Sequence, residues 1–409
     1  MANTPASRLT DQQRFDWLRL VRSENVGPRT FRALITNCGG ARAALKALPD
    51  FARRGGAARP IHVAAPEDIE RELAAAHKLG VRFVALGEPD YPPLLRQIDS
   101  APPILALRGR AEALKRAAVA IVGSRNASAA GLMFAERLAR GVGEAGYVVV
   151  SGLARGIDQR AHVASLETGS VGVLAGGHGK PYPAEAVPLM ERMVNVGAVV
   201  SEMPIEWEPR GRDFPRRNRI VSGLGLGTVV VEAARGSGSL ITARFALEQN
   251  RQIFAVPGSP LDPRAEGTND LLKQGASICT SVEDVLTALE PVRSSDLGAM
   301  LEVGGEPGEP LWGEQPLLGV DPESTPRTRA GDEFDDAAGT AYQAGEDAEA
   351  ARQRIIALLG PPPITLDELG RAAEAPPRAV RVALLELELA GRIEYSGERV
   401  ALRPGTDQK

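Results

Sequence analysis

The chain is poor in the residues that hold metals or make disulfides. Cys38 and Cys279 lie far apart and form no ligand spacing, so the thiols read as reduced, and buried or incidental. Histidine is nearly as scarce. His62, His77, His162 and His178 show no zinc pattern. No apolar run approaches the roughly 18 residues of a membrane span, and Met1-Ala-Asn-Thr-Pro-Ala-Ser-Arg8 lacks the apolar core of a signal peptide. A cytoplasmic protein without membrane contact is expected. No Gly-Lys-Ser/Thr follows its glycine-rich loops, which excludes an ATP-binding P-loop.

Length and charge bound what remains. At roughly 100–200 residues per domain, 409 residues predict two to three domains. The net charge of −4 is unevenly spread. Residues 291–350 hold 14 Asp and Glu against 3 Lys and Arg, a local −11. The rest keeps 45 basic against 38 acidic residues, a net +7. The folded parts are therefore mildly basic, and an acidic stretch masks this.

Four segments follow from composition and periodicity. Residues 1–75 read as a helical module, in which Phe15, Leu18, Leu20 and Val21 recur at helical spacing. Within it, Glu24-Asn-Val-Gly-Pro-Arg-Thr-Phe-Arg-Ala-Leu-Ile35 is read either as half of a helix–hairpin–helix unit or as a packing helix. Residues 51–60 read as a linker. Residues 80–290 alternate strand and helix, with strands predicted at 118–122, 147–150, 171–174, 197–201, 227–231 and 252–256. Continuous apolar strands alternating with helices predict an α/β fold, a Rossmann-like, doubly wound parallel sheet. Its ligands bind beyond the carboxyl ends of the strands. Residues 291–349 read as a disordered acidic linker. Residues 350–405 predict three helices and a hairpin, a winged helix, with Thr365 and Glu368 in a capping box. Its third helix carries Arg378 and Arg381 against Glu386 and Glu388, which favours a protein-interaction or structural role over DNA reading.

Two loops stand out. Ile121-Val-Gly-Ser-Arg125 follows one strand, and Val150-Ser-Gly-Leu-Ala-Arg-Gly-Ile-Asp158 follows another. Gly123, Gly152 and Gly156 let backbone approach a ligand, and the helices that follow offer unpaired N–H groups to an anion. Arg125 and Arg155, with Ser124 and Ser151 beside them, add guanidinium and hydroxyl groups suited to phosphate. No acid–base pair or metal set accompanies them. The pattern points to binding a polyanion rather than turning over a small molecule.

Further candidates lie downstream. Arg210, Arg212, Arg216, Arg217 and Arg219 crowd the start of a helix, opposed in that window by Asp213 alone. A helix start repels cations unless an anion compensates, so these read as phosphate contacts. Ala234-Arg-Gly-Ser-Gly-Ser-Leu-Ile-Thr-Ala243 is a third glycine-rich loop. There Gly238, Ser239 and Thr242, with Ser237, either cap the helix or bond phosphate oxygens. Lys180 beside Tyr182 suits a phosphate with a stacked base. Asp158 reads as a cap, and Glu232 as a ribose ligand or, better, an arginine partner.

These motifs converge. Gly123-Ser-Arg125, Ser151-Gly-Leu-Ala-Arg-Gly-Ile-Asp158, Phe214-Pro-Arg-Arg-Asn-Arg-Ile-Val-Ser-Gly-Leu224, Gly238-Ser-Leu-Ile-Thr-Ala243 and Val256-Pro-Gly-Ser259 occur in order. Together they closely resemble the DNA-processing protein A family (DprA/Smf). The resemblance implies a bacterial cytoplasmic protein, not an enzyme and without a cofactor. Such a protein binds incoming single-stranded DNA in natural transformation (competence), protects it and helps load the RecA recombinase. It implies a homodimer formed through the Rossmann-like domain, and a DNA pocket lined by Arg125 and by Arg216, Arg217, Asn218 and Arg219. Lys180 departs from the family's Gly-x-Asp-x-x-Tyr-Pro loop, although Tyr182-Pro183 keep it. The alternative on the same fold is a nucleotide-processing, phosphoribohydrolase-like enzyme. Its Pro-Gly-Gly-x-Gly-Thr-x-x-Glu motif is absent, with Gly225-Leu-Gly-Thr228 a faint echo. A scaffold acting through the winged helix is the other.

Overall fold

The computed structural model describes residues 8–294, 346–396 and 399–403. Two compact units divide the chain: Met1–Val21 with Ala65–Leu311, and Arg22–Ala64 with Trp312–Lys409. The segment expected as a 1–75 helical module spans the division between the two units. Its helices are α1 (Asp11–Arg22), α2 (Pro28–Cys38), α3 (Ala41–Arg54) and α4 (Pro66–Lys78). Helix α2 starts on Pro28, whose fixed φ and missing N–H suit a first turn, and stops at left-handed Gly39, whose N–H bonds Ile35 O. Helix α3 runs through Arg54, into the stretch expected to be linker, because Phe51 and Ala52 are buried on it.

The first unit carries a nine-stranded sheet. In chain order its elements are β1 (Arg82–Ala85), α5 (Pro93–Arg96), β2 (Ile104–Gly109), β3 (Ala118–Gly123), α6 (Ala129–Glu144), β4 (Val148–Ser151), α7 (Ile157–Ala164) and β5 (Ser170–Val173). Then follow α8 (Val187–Val196), β6 (Ala198–Ser201), α9 (Asp213–Leu224), β7 (Gly227–Val231), α10 (Gly238–Glu248) and β8 (Gln252–Ala255). The unit ends with α11 (Glu266–Lys273), β9 (Ser277–Ile278) and α12 (Val282–Arg293). The strand order is β1-β2-β6-β5-β4-β3-β7-β8-β9. From β6 to β9 every pairing is parallel, whereas β1–β2 and β2–β6 are antiparallel. The Rossmann-like expectation is met, with an antiparallel extension at one edge. Strands β4, β5, β6 and β7 are buried throughout, as a sheet covered on both faces requires.

The winding positions the site. From β3 the chain moves outward through β4 and β5 to β6. Helix α9 then carries it back to β7, on the other side of β3, and touches β3, β4 and β5 on the way. The direction of winding reverses at β3, which opens a crevice at the carboxyl ends there.

The second unit's C-terminal part holds α13 (Glu346–Leu358), β10 (Ile364–Thr365), α14 (Leu366–Ala372), α15 (Pro377–Leu389), β11 (Ile393–Ser396) and β12 (Arg399–Leu402). Strands β10 and β11 flank β12, antiparallel. Ile355, Leu369, Val380, Leu384, Leu387, Ile393 and Val400 close its core. This is a winged helix, and Thr365 and Glu368 form the expected capping box. Helix α12 continues through Pro291, and α13 begins at Glu346, so helices take both ends of the stretch expected to be linker. Its remainder, 295–345, lies outside the described residues.

One ionic knot braces the sheet's edge. Asp90 takes Arg82 at 2.8 Å, Lys115 at 3.0 Å and Arg8 at 3.0 Å. Burial pushes its pKa up, but the hydrogen bonds from Arg82 and Lys115 outweigh this and hold it at about 2. A carboxylate depressed on folding contributes stability above its unfolded pKa, and that contribution fades as pH falls toward the folded value. Asp90→Asn should therefore lower Tm at pH 6, with the gap to wild type closing between pH 4 and about 2. Equal melting temperatures at pH 6 would refute this role for Asp90.

Candidate nucleic-acid interface

The carboxyl ends of β3, β4 and β5 and the start of α9 surround a cavity of about 180 Å³. Arg125 and Asn126 come from the loop after β3, Gly152, Ala154 and Arg155 from the loop after β4, and Tyr182 and Pro183 from the loop after β5. Phe214 and Arg217 come from α9. The loop after β4 depends on two glycines. Gly156 sits at φ 79°, ψ −122°, and a Cβ there would lie 2.3 Å from Ser124 O. A Cβ on Gly152 would strike the Arg217 guanidinium at 2.2 Å. Two non-glycine residues, Leu153 (φ 60°) and Glu232 (φ 54°), also take the left-handed conformation at strand ends.

Arg217 is the floor of this pocket. It is 7% exposed and donates to Gly152 O at 2.5 Å and to Val173 O. Its Nε reaches Asn218 Oδ1 at 3.3 Å. Burial lowers its pKa to about 10, against the opposing pull of Asp158. Asp158, also buried, accepts from Gly152 N at 3.1 Å and Ala154 N at 3.4 Å. Burial raises its pKa, and Arg217 resists that shift. Asp158 thus fastens the preceding loop rather than capping its own helix.

The rim is different. Arg125 is exposed, with its Cζ 5.5 Å above the Phe214 ring. Tyr182, half exposed, meets Phe214 edge-on at 5.4 Å between centroids. Among the described residues neither Arg125 nor Lys180 has an ion-pair partner. Arg155 pairs with Glu185, and Arg216 pairs with Glu202 at 3.0 Å.

The structure thus sorts the sequence candidates. Arg125, Gly152, Arg155 and Arg217 meet at one cavity, Gly123, Ser124 and Gly156 lie on the loops that carry them without lining it, and Lys180 is on the loop leading to Tyr182. Arg217 and Arg219, expected to contact phosphate, are both buried and engaged by the protein itself. Arg219 is 5% exposed and is bound to Glu202 and Ser100 O. Glu202 and Asp158 compensate the arginine cluster from inside, while Asp213 accepts from Trp207 Nε1 at 2.9 Å and Arg210 N at 2.8 Å. Asn218 holds Gly238 O at 3.0 Å. Ser151 is buried and donates to Ile121 O at 2.6 Å. Ser239 and Thr242 are buried in α10, whose cap is Ser237. Glu232 accepts from Ser128 N at 2.9 Å and from Ser128 Oγ, pinning the start of α6. His178 hangs on Ala106 O at 3.1 Å, and burial lowers its pKa to about 4. Phe214 escaped the sequence reading, although an aromatic directly before Pro-Arg-Arg at a helix start was the available signal.

Comparison with known proteins gives the family. The model of the family described as DNA recombination-mediator protein A matches residues 82–290. The chain belongs to that family. Two further models match: a DprA-like N-terminal HHH domain over residues 11–75 and a DprA winged helix domain over 339–397. The chain is 41% identical to the DNA processing protein DprA of Bacillus subtilis over 224 residues, covering 54% of this chain and 75% of that one. It is 31% identical to the putative DNA processing protein DprA of Mycobacterium tuberculosis over 380 residues, 88% of each. The crystal structure of DNA processing protein A from Streptococcus pneumoniae superposes with a TM-score of 0.56 at 32% identity, covering 69% of this chain and 98% of that one.

The two arginine classes should separate experimentally. Arg217→Met strips donors from Gly152 and Val173 and leaves Asp158 buried without its counter-charge, which costs roughly 3–5 kcal/mol. Its Tm should fall clearly, while Arg125→Ala should keep the wild-type melting curve. Equal thermal stability of both variants would overturn the structural role of Arg217.

Proposed function

We propose that the chain binds single-stranded DNA across the carboxyl ends of β3, β4 and β5, without catalysing a reaction on it. The observation that carries this reading is the Phe214 platform, with Arg125 above it and Tyr182 at its edge. An aromatic face next to an unpaired cation accepts a base and its phosphate together. A base can reach such a pocket only when it is unpaired, so a duplex is a poor fit. The acidic groups nearest the floor, Asp158 and Glu202, are buried and engaged, which supports binding over acid–base chemistry.

Family membership supports the wider role. The protein protects incoming single strands during natural transformation, hands them to the RecA recombinase, and works as a homodimer in the cytoplasm. Two joined pockets raise affinity through valency.

The test is binding of fluorescent oligothymidine across a salt series, with matched duplex as competitor. Log affinity should fall with log salt at about −0.7 per phosphate neutralised. Phe214→Ala should cost about 1–3 kcal/mol. Arg125→Ala should both weaken binding and flatten the salt slope. Wild-type affinity in both variants, or equal competition by duplex, would refute the reading.

A further inference from the structure

The third helix of the winged helix, α15, is buried on two sides. One side, with Val380, Ala383, Leu384 and Leu387, belongs to the domain's own core. The other presents Leu385, Glu386 and Leu389, which are 2%, 4% and 1% exposed. Helices α2 and α3, in the same compact unit, pack against α15.

The contact is specific. Arg54, in the last turn of α3, places its Nε 2.6 Å from Glu386 Oε1. Arg352 of α13 approaches the other oxygen at 3.6 Å and also donates to Arg54 O. Asn25 Nδ2 donates to Leu389 O at 2.9 Å. The Arg29 guanidinium lies 5.4 Å above the Tyr395 ring. The backbones approach closely at Gly55, where a Cβ would stand 2.0 Å from Glu386 O. A buried carboxylate between two guanidiniums fixes orientation more than it adds stability. Glu386 therefore specifies how α15 seats on α3.

We infer that the outer face of α15 is a protein-docking surface whose partner is the chain's own α2–α3 pair, and that it does not read nucleic acid. Two buried leucines offer phosphate no hydrogen bond, and the carboxylate between them suits a helix end that bears an arginine. The partner is in the same chain, since covalent connection gives it a high effective concentration. The inference is independent of the pocket between Arg125 and Phe214.

Gly55→Ala tests it in the full-length protein. Gly55 has φ −69° and ψ −6°, so alanine suits the local backbone and only the docked helix is obstructed. Amide exchange at residues 385–389 and in α2–α3 should rise roughly tenfold or more as the contact opens locally. Glu386→Gln, which keeps the shape and withdraws the charge, should raise it in the same segments. Single-strand binding should stay at the wild-type level in both variants, and duplex DNA should not protect α15. Wild-type exchange in both variants would overturn the docking. Protection of α15 by duplex would overturn its closure to nucleic acid. A change that depends on protein concentration would move the dock to a second copy and overturn the same-chain assignment.

Discussion

A buried guanidinium holds the candidate site together. Where parallel strands end, their last carbonyls leave the ladder, and those carbonyls and the loops that follow need donors. Arg217 supplies donors to Gly152 and Val173, which end neighbouring stretches of the sheet. It comes from α9, the helix that carries the chain back across the sheet, so the crossover and the loops are fixed by one side chain. Asp158 supplies the matching acceptors from α7. Gly152 follows from this, because any Cβ there would occupy the guanidinium's place. The charge inside also acts outward: Arg125 and Arg217 are close enough to repel. A bound anion would relieve that repulsion, so the support and the ligand are energetically linked.

The same internal pairing divides the cations by their availability. Arg155 and Glu185 are 67% and 48% exposed at their side chains, and exposed pairs of this kind contribute about 0–1 kcal/mol. A phosphate can replace Glu185 at small cost. Arg219 and Glu202 are both 6% exposed, and separating them would strand a buried charge. Arg216 shares Glu202 from the surface side and lies between the two cases. Counting arginines overstates the positive field that a ligand meets. Arg125 and Lys180, which share no carboxylate among the described residues, set it more directly.

Local patterns made much of this fold legible. Apolar runs such as Thr228-Val-Val-Val231 announced strands buried on both faces, and the Thr365–Glu368 box announced its helix. What stayed hidden depends on partners distant in sequence. Strand β2 pairs locally with β1 but reaches the rest of the sheet through β6, nearly a hundred residues on, so 104–109 is missing from the predicted strands. The arginine run at 210–219 was visible, but Glu202 and Asp158, which draw Arg219 and Arg217 inward, precede it and fold back. Phe214 was overlooked because the adjacent charges dominated the pattern. Glu232 turned toward Ser128 because the left-handed turn after β7 aims it at α6, which no local spacing encodes.

Helix α15 shows the same limit of charge counting in the other unit. Two arginines and two glutamates on one helix leave its role open when read as a sum. Burial decides it. Arg378 and Arg381 stay at the exposed N-terminal half, whereas Glu386 is drawn inward by Arg54 and Arg352. The half of the helix that lies against α2 and α3 is thus apolar and acidic. Phosphate could enter there only by displacing Arg54, which would leave the Glu386 carboxylate in its path. A helix in the usual reading position of a winged helix becomes a fastener for the same reason that Arg217 does: its charge is satisfied inside the protein before any ligand arrives.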